Sequence, residues 1–332
     1  MFLVGDIGGT KTRLAVFPSA MDKPVPLKEA VFASSHYAGL EEVVRAFLTP
    51  AADVVEAAVF GVAGPVVDGR VKLTNLPWAL DENHLKETLA LNEVYLLNDI
   101  LATAAAIPDL PREALLTLQR GQGDNNGNVA VIAPGTGLGE AFMTHRDGRW
   151  RAHATEGGHA DFAPRDDGEL ALWRRYRKEG GRVSVERLCA GPGIARIYGY
   201  LLEADRGGMD PGDSQGSDDA RDPVPGIVAA ALRETDPCPL CVKTMRLYVT
   251  LLGAEAGNLA LKVMATGGVY LGGGIPPRIA PFLQDEPFLR AFRDKGRMSG
   301  LMERMPVHVI LEPRAALLGA ASWFLREKGA PT

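Results

Sequence analysis

The chain has 332 residues, 46% of them hydrophobic and 23% charged, with a net charge of −5. That length can bury two full cores, and the composition is that of a soluble globular protein rather than a disordered or fibrous one. There is no basic run to indicate nucleic acid, no apolar run of membrane-spanning length, and only three cysteines, an odd number that argues against a disulfide framework. Only four residues precede Gly5, too few for a secretion signal, so the cytoplasm is the expected compartment.

The first element is the stretch VGDIGGTKTRLAVF, residues 4–17. It is close to a P-loop but departs from one: counting from Gly5, the second glycine would fall on position 10, which is Thr10. The residues after Thr12 are β-branched and aromatic with no helical period, so the spacing predicts strand, glycine turn, strand. Such a turn brings backbone N–H groups close to phosphate oxygens. Asp6 would repel a bare phosphate, and it fits if Mg²⁺ stands between them. A plain hairpin with a solvated aspartate is the alternative.

Further on, LEEVVRAFL (40–48) places Leu40, Val43, Val44, Phe47 and Leu48 on one helical face. EAAVFGVAGP reads as a buried strand and turn, Asp81 as the cap of a helix running to about Ala90, and EVYLL as the next strand. Strands alternating with helices mean a sheet with helices packed on it, and ligands of such sheets gather at the carboxyl ends of strands. Asn98-Asp99 lies at such an end. Asp99, opening a helix, is held ionised by the helix N-terminus and can accept a proton from an attacking hydroxyl; equally, Asn98 or Asp99 can simply cap that helix.

NVAVIAPGTGLGEAFM (128–143) repeats the first plan: an apolar run, the turn Gly135-Thr136-Gly137, then a second apolar run. A Gly-Thr pair stands at both turns (Gly9-Thr10 and Gly135-Thr136). Two such hairpins one domain apart predict two related domains facing a shared polyphosphate. EGGHADF then offers Glu156 and His159, and SVERL offers Glu186. Carboxylates and a histidine that converge suit sugar hydroxyls, and a solvated surface set is the alternative.

Residues 205–225 have almost no apolar content and read as a flexible surface insertion. Cys238 and Cys241 form a lone C-x-x-C without further ligands at zinc spacing, and a structural role is expected. A long apolar helix follows near 241–265. GGVYLGGGI ends a strand on Gly272, Gly273 and Gly274, where backbone can approach a flat ligand such as adenine, or simply turn. The last stretch is a strand and then a helix.

Taken together, DIGGTKTRLAV, NDILATAAAIP, APGTGLGEA, EGGHADFAP, SVERLCAGPG and GGVYLGGGIPPR resemble, in order and over about residues 3 to 320, the bacterial glucokinases that share the hexokinase, actin and heat-shock ATPase fold. The resemblance implies an α/β protein of two ribonuclease-H-like lobes with the active site in the cleft between them. The small lobe would be 1–109, with the C-terminal helix 312–332 packing back on it, and the large lobe 110–311.

The resemblance also implies roles. Asp99 would be the base that takes the proton from the sugar 6-hydroxyl, and Asn98, Glu156, His159 and Glu186 the sugar set. Gly8, Gly9 and Thr10 would form the first phosphate loop, and Gly135, Thr136 and Gly137 the second. Asp6 would steer Mg²⁺ through water, and Gly272, Gly273 and Gly274 would meet adenosine. The expected ligands are glucose and ATP with Mg²⁺, in a homodimer, without nucleic acid or membrane.

The chain departs from the family pattern at Lys11, Ile100 and Pro134, and it lacks the cysteine-rich zinc motif of related ROK sugar kinases. That leaves mannose, fructose or an N-acyl amino sugar as alternative acceptors. A non-catalytic sugar sensor is a further alternative, disfavoured by the presence of Asp99 and by the lack of room ahead of the first hairpin for a DNA-binding segment.

Overall fold

The computed structural model describes residues 1–19, 24–48, 54–73, 75–205 and 222–328. The stretch 205–225, expected as a surface insertion, falls mostly outside the described residues. The chain divides into two units: Met1–Leu115 with Ala141–Ala154 and Glu312–Thr332, and Leu116–Glu140 with Thr155–Leu311.

In the first unit, strands β1 (Phe2–Ile7) and β2 (Lys11–Phe17) form the expected antiparallel hairpin, followed by β3 (Lys28–Ala33) and helix α1 (Leu40–Phe47). Then come β4 (Ala57–Val62), the short pair β5 (Arg70–Lys72) and β6 (Ala79–Asp81), α2 (Glu82–Thr88), β7 (Glu93–Asn98) and α3 (Asp99–Ala106). Asp81 caps α2, its side chain accepting from the N–H groups of Asn83 and His84.

The sheet order is β3-β2-β1-β4-β7, with β4 parallel to both β1 and β7. Its central strands are apolar on both faces because both faces are covered. Leu3, Ile7, Ala58, Phe60 and Val62 pack with α1, while Phe2, Val4, Ala57 and Val59 pack with α3 and the C-terminal helix.

The chain then runs through β8 (Leu115–Gln119), β9 (Val129–Pro134), β10 (Leu138–Arg146) and β11 (Arg149–Thr155). Helices α4 (Asp167–Gly180), α5 (Val185–Cys189), α6 (Gly191–Asp205), α7 (Val224–Ala231) and α8 (Pro239–Val263) follow. The last elements are β12 (Gly268–Leu271), α9 (Ala280–Gln284), α10 (Glu286–Arg293), α11 (Ser299–Arg304), β13 (Val307–Ile310) and α12 (Ala315–Lys328).

The second sheet is ordered β11-β10-β9-β12-β13-β8, so its first five strands repeat the neighbour order of the first sheet. The outer part of the β10–β11 hairpin is counted with the first unit. The core of the second unit is built around α8, against which α6, α7 and α10 pack. The C-x-x-C opens this helix: Cys238 is its cap residue, and Cys241, one turn on, is buried in the core.

Helix α12 returns to the first unit and lies on α3. The approach is close because α3 presents small residues, Ala102, Ala105 and Ala106, and because α12 has Gly319 at the crossing, where a methyl group would overlap the Ala102 carbonyl oxygen.

Candidate active site

In the first unit, Asp6, Gly61 and Leu97 lie in one row across β1, β4 and β7, and Ile7, Val62 and Asn98 in the next. These rows are the carboxyl ends of the parallel strands. The β1–β2 turn is pinned by the Gly8 N–H donating to the Lys11 carbonyl (3.0 Å) and the Ser34 hydroxyl donating to the Gly8 carbonyl (2.9 Å). A methyl on Gly9 would come within 2.7 Å of Asn75 Cβ, so the turn needs glycine there for room. Thr10 is exposed. Asp6 stands opposite Arg13 in the hairpin. Burial pushes its carboxyl up to about 6, and the Arg13 guanidinium, itself paired with Glu29, opposes that rise.

The structure separates the roles of Asn98 and Asp99. Asn98 is the cap of α3: its Oδ1 accepts from Ile100 N (3.0 Å) and Leu101 N (3.1 Å), and its Nδ2 donates to the Gly64 carbonyl (3.1 Å). Asp99 is the first helical residue and is partly exposed. The cap therefore does not depend on the Asp99 carboxylate.

In the second unit, Glu156, His159 and Glu186 come together. His159 Nε2 is 3.8 Å from Glu156 Oε2, and His159 Nδ1 is 3.8 Å from Glu186 Oε1, so the imidazole stands between two carboxylates. Glu156 and His159 flank the tight turn Gly157–His159, and Glu186 lies in the first turn of α5, capped by Ser184. The other oxygen of Glu186 accepts from Leu138 N (2.9 Å), and a methyl on Gly137 would meet it at 2.7 Å. The carboxylate is thus seated against the second glycine turn.

That turn is closed by Gly135 N donating to the Gly137 carbonyl (2.8 Å) and is tied to α6 by Gly191 N donating to the Gly135 carbonyl (2.8 Å). Gly272–Gly274 follow β12 next to it. Gly272 N donates to the Ile132 carbonyl, and Gly273 has φ +81, with Pro134 O at 2.9 Å from where its Cβ would be. The two glycine segments adjoin as bare backbone. A separate hollow of about 600 Å³ in the first unit, lined in part by Trp150, His153, Trp323 and Arg326, holds none of these residues.

The whole chain is similar to known proteins of one family. The glucokinase family model matches residues 3–327. The chain belongs to the glucokinase family. Among relatives of this family, a glucokinase of Synechocystis sp. is 39% identical over 96% of this chain and 96% of its own length. A solved glucokinase from an Antarctic psychrotroph is 32% identical, covers 97% of this chain and 98% of its own, and superposes with a TM-score of 0.81. A solved ROK family glucokinase from Streptomyces griseus, in complex with glucose and AMPPNP, is 23% identical over 99% of both chains with a TM-score of 0.61, a likeness of fold. The α/β architecture of two sheets with a repeated strand order is that of the actin-like ATPase fold shared by these sugar kinases.

One residue of this region is not anticipated from the sequence. Glu140, on β10 directly after the second glycine turn, is 2% exposed. Its only sequence signal is a charge placed two residues after Leu138, on the buried side of an apolar strand.

Proposed function

We propose that the protein is an ATP-dependent glucokinase that transfers the γ-phosphoryl group of ATP to the 6-hydroxyl of glucose, giving glucose 6-phosphate and ADP. The observation that carries this reading is the Glu156–His159–Glu186 set, with Glu186 seated against the second glycine turn, in a chain of this family. Carboxylates accept from sugar hydroxyls, and such charged hydrogen bonds contribute about 1.5–3 kcal/mol each. A site of this kind rejects analogues that lack the hydroxyl.

In this reading Asp99 takes the proton of the 6-hydroxyl as it attacks. Asn98 has one N–H left for the sugar, because its oxygen and its other N–H are used by α3 and Gly64. Gly8 and Gly135 close the two turns with their own N–H groups, which leaves the N–H groups of Gly9, Thr10, Thr136 and Gly137 and the two threonine hydroxyls for the phosphates, and Gly272–Gly274 offer a flat surface to adenosine. The donor set suits Mg²⁺: Asp6 is a desolvated carboxylate beside the first turn, which a cation would help to ionise. Mg²⁺, held by Asp6 through water, would neutralise charge on the transferring phosphate. The first unit serves as the small lobe and the second as the large lobe, and the expected assembly is a homodimer, to be checked by light scattering against the 35.5 kDa chain.

The test is sugar-dependent ADP release from MgATP, with glucose, mannose, fructose, N-acetylglucosamine and N-acetylmannosamine side by side and Asp99→Asn as the blank. A preference for glucose that the variant loses is expected. Preference for another hexose would move the substrate while keeping the chemistry, and absence of turnover with every sugar would reject the kinase reading.

A further inference from the structure

The two glycines of Glu156-Gly157-Gly158-His159 both answer to the start of β10, which lies beneath them. A methyl on Gly158 would overlap the Leu138 carbonyl oxygen, and a methyl on Gly157 would overlap Oε2 of Glu140. Neither glycine has a positive φ, so room rather than backbone conformation requires them. The turn rests directly on the first residues of β10. A hydrogen-bonded chain fixes it there: the Thr155 hydroxyl donates to the Glu140 carbonyl (3.0 Å) and accepts from Gly157 N (3.1 Å). Glu140 is therefore the side chain that supports the turn from which Glu156 and His159 project.

We propose that Glu140 is a positioning residue for the sugar site, its carboxyl forming the floor on which the Glu156–His159 turn is held. This rests on the assignment of Glu156, His159 and Glu186 to the sugar. Glu140 touches neither sugar nor nucleotide in this reading and acts through the turn.

The floor is sensitive to charge. Glu140 is buried, and its Oε1 has no hydrogen-bond partner among the described residues. From α8, the Glu255 carboxylate repels negative charge at this position and Lys262, 3.8 Å from Glu255, partly offsets it. The Cys189 thiol at the end of α5 lies in the same field. Beyond them, Glu169 paired with Arg165 acts on Cys189, and Lys295 sits near Glu255. Burial, reinforced by Glu255, pushes the Glu140 carboxyl up to about 8, so near neutrality it is an uncharged acid. Above that pH it ionises in a place that cannot solvate it, and the turn must shift to admit water or a cation. Sugar affinity then falls about tenfold for each pH unit beyond the transition.

Two readouts on the full chain test this. Hydrogen exchange of the peptide containing residues 155–160, without ligands and corrected for the intrinsic pH dependence of exchange, reports the turn itself. In the native protein its protection is expected to drop about tenfold between roughly pH 7.5 and 9. In Glu140→Gln, which keeps shape without a charge, protection stays flat. Equal pH dependence in both proteins, or flat protection in both, overturns the proposal. Glucose affinity by calorimetry, without ATP, is the second readout. It is expected to weaken over the same pH range in the native protein and to hold in Glu140→Gln, with Glu140→Ala weakened at every pH. A Glu140→Gln protein that loses protection at pH 7 as Glu140→Ala does would also overturn it. If the native protein binds no glucose at pH 7, the sugar assignment fails, and the exchange data still decide whether Glu140 holds the turn.

Discussion

Asp6→Asn separates what the first glycine turn costs in stability from what it contributes to activity. The Asp6 carboxyl is raised from 3.8 to about 6 in the folded chain. The folded state therefore binds the proton more tightly than the unfolded state between those values. Stability from this group is fully present below the unfolded value and is lost as pH rises through about 6. Near pH 7.5 the carboxylate is ionised in both states, and the loss is the whole difference between 3.8 and about 6, roughly 3 kcal/mol.

Asparagine has the same shape and no charge. Arg13 keeps its pair with Glu29, which Arg314 also approaches, so the variant does not strand a buried cation. Urea unfolding of Asp6→Asn is expected to show a midpoint higher by the equivalent of about 3 kcal/mol near pH 7.5, and about half that gain near pH 5. The same protein should lose nearly all MgATP-dependent turnover. A stabilising change that abolishes activity is the usual signature of a group kept for function at the expense of the fold. If the variant is no more stable at pH 7.5, or the gain does not shrink toward acid, the carboxylate is solvated and needs no cation beside the turn to ionise it.

Three other outcomes follow from the same structure. Asp99→Asn should lower kcat by about 10²–10⁴ with glucose affinity nearly unchanged, measured by coupled assay and calorimetry. Because Asn98 carries the cap, thermal stability should move by less than about 1 kcal/mol, and a collapse of stability would refute that division of roles. Glu186→Gln should raise the glucose KM by about ten- to a hundredfold, the worth of one charged hydrogen bond, with kcat within a few-fold; an unchanged KM would remove Glu186 from the sugar set. Gly319→Ala, where the added methyl overlaps the Ala102 carbonyl, should destabilise the protein by about 1–3 kcal/mol in denaturant unfolding, and a neutral result would mean that α12 is free to shift on α3.

The elements that were legible are those whose pattern is local. The β1–β2 and β9–β10 hairpins are two apolar runs around a glycine turn, and α8 is long enough to separate from a buried strand by length alone. Asp81 at the start of α2 is a cap that sequence identifies by residue type. Elements stabilised by tertiary contacts were not legible. Helix α4 is so polar that only Glu169, Leu172 and Tyr176 are buried on it, and one of those three is a carboxylate paired with Arg165. Strand β3 is an edge strand, half-exposed along most of its length, which gives no clean alternation. The choice between Asn98 and Asp99 as cap needs side-chain geometry, because both residue types cap helices equally well.

Glycine shows most clearly where the sequence stops speaking. Read as letters, Gly8-Gly9, Gly135–Gly137 and Gly272–Gly274 are one kind of signal, a backbone left bare for a ligand, while Gly157-Gly158 reads only as a bend between Glu156 and His159. In the structure they divide. Gly273 needs its left-handed φ, while Gly157 and Gly158 are small because Glu140 and Leu138 lie directly beneath them. The first is a demand of backbone conformation; the second clears room for what supports the turn from below. Of the doublet between Glu156 and His159, Gly157 is thus the imprint of a buried acid and Gly158 that of the Leu138 carbonyl. That acid is invisible to a motif search, because it sits on another strand seventeen positions before Gly157. Replacing Gly157 with alanine should therefore be tolerated better once Glu140 is shortened to alanine than in the native protein. A double-mutant cycle on stability would measure that coupling, expected at about 0.5–3 kcal/mol for groups in contact, and additive effects would show that the two residues do not share a cause.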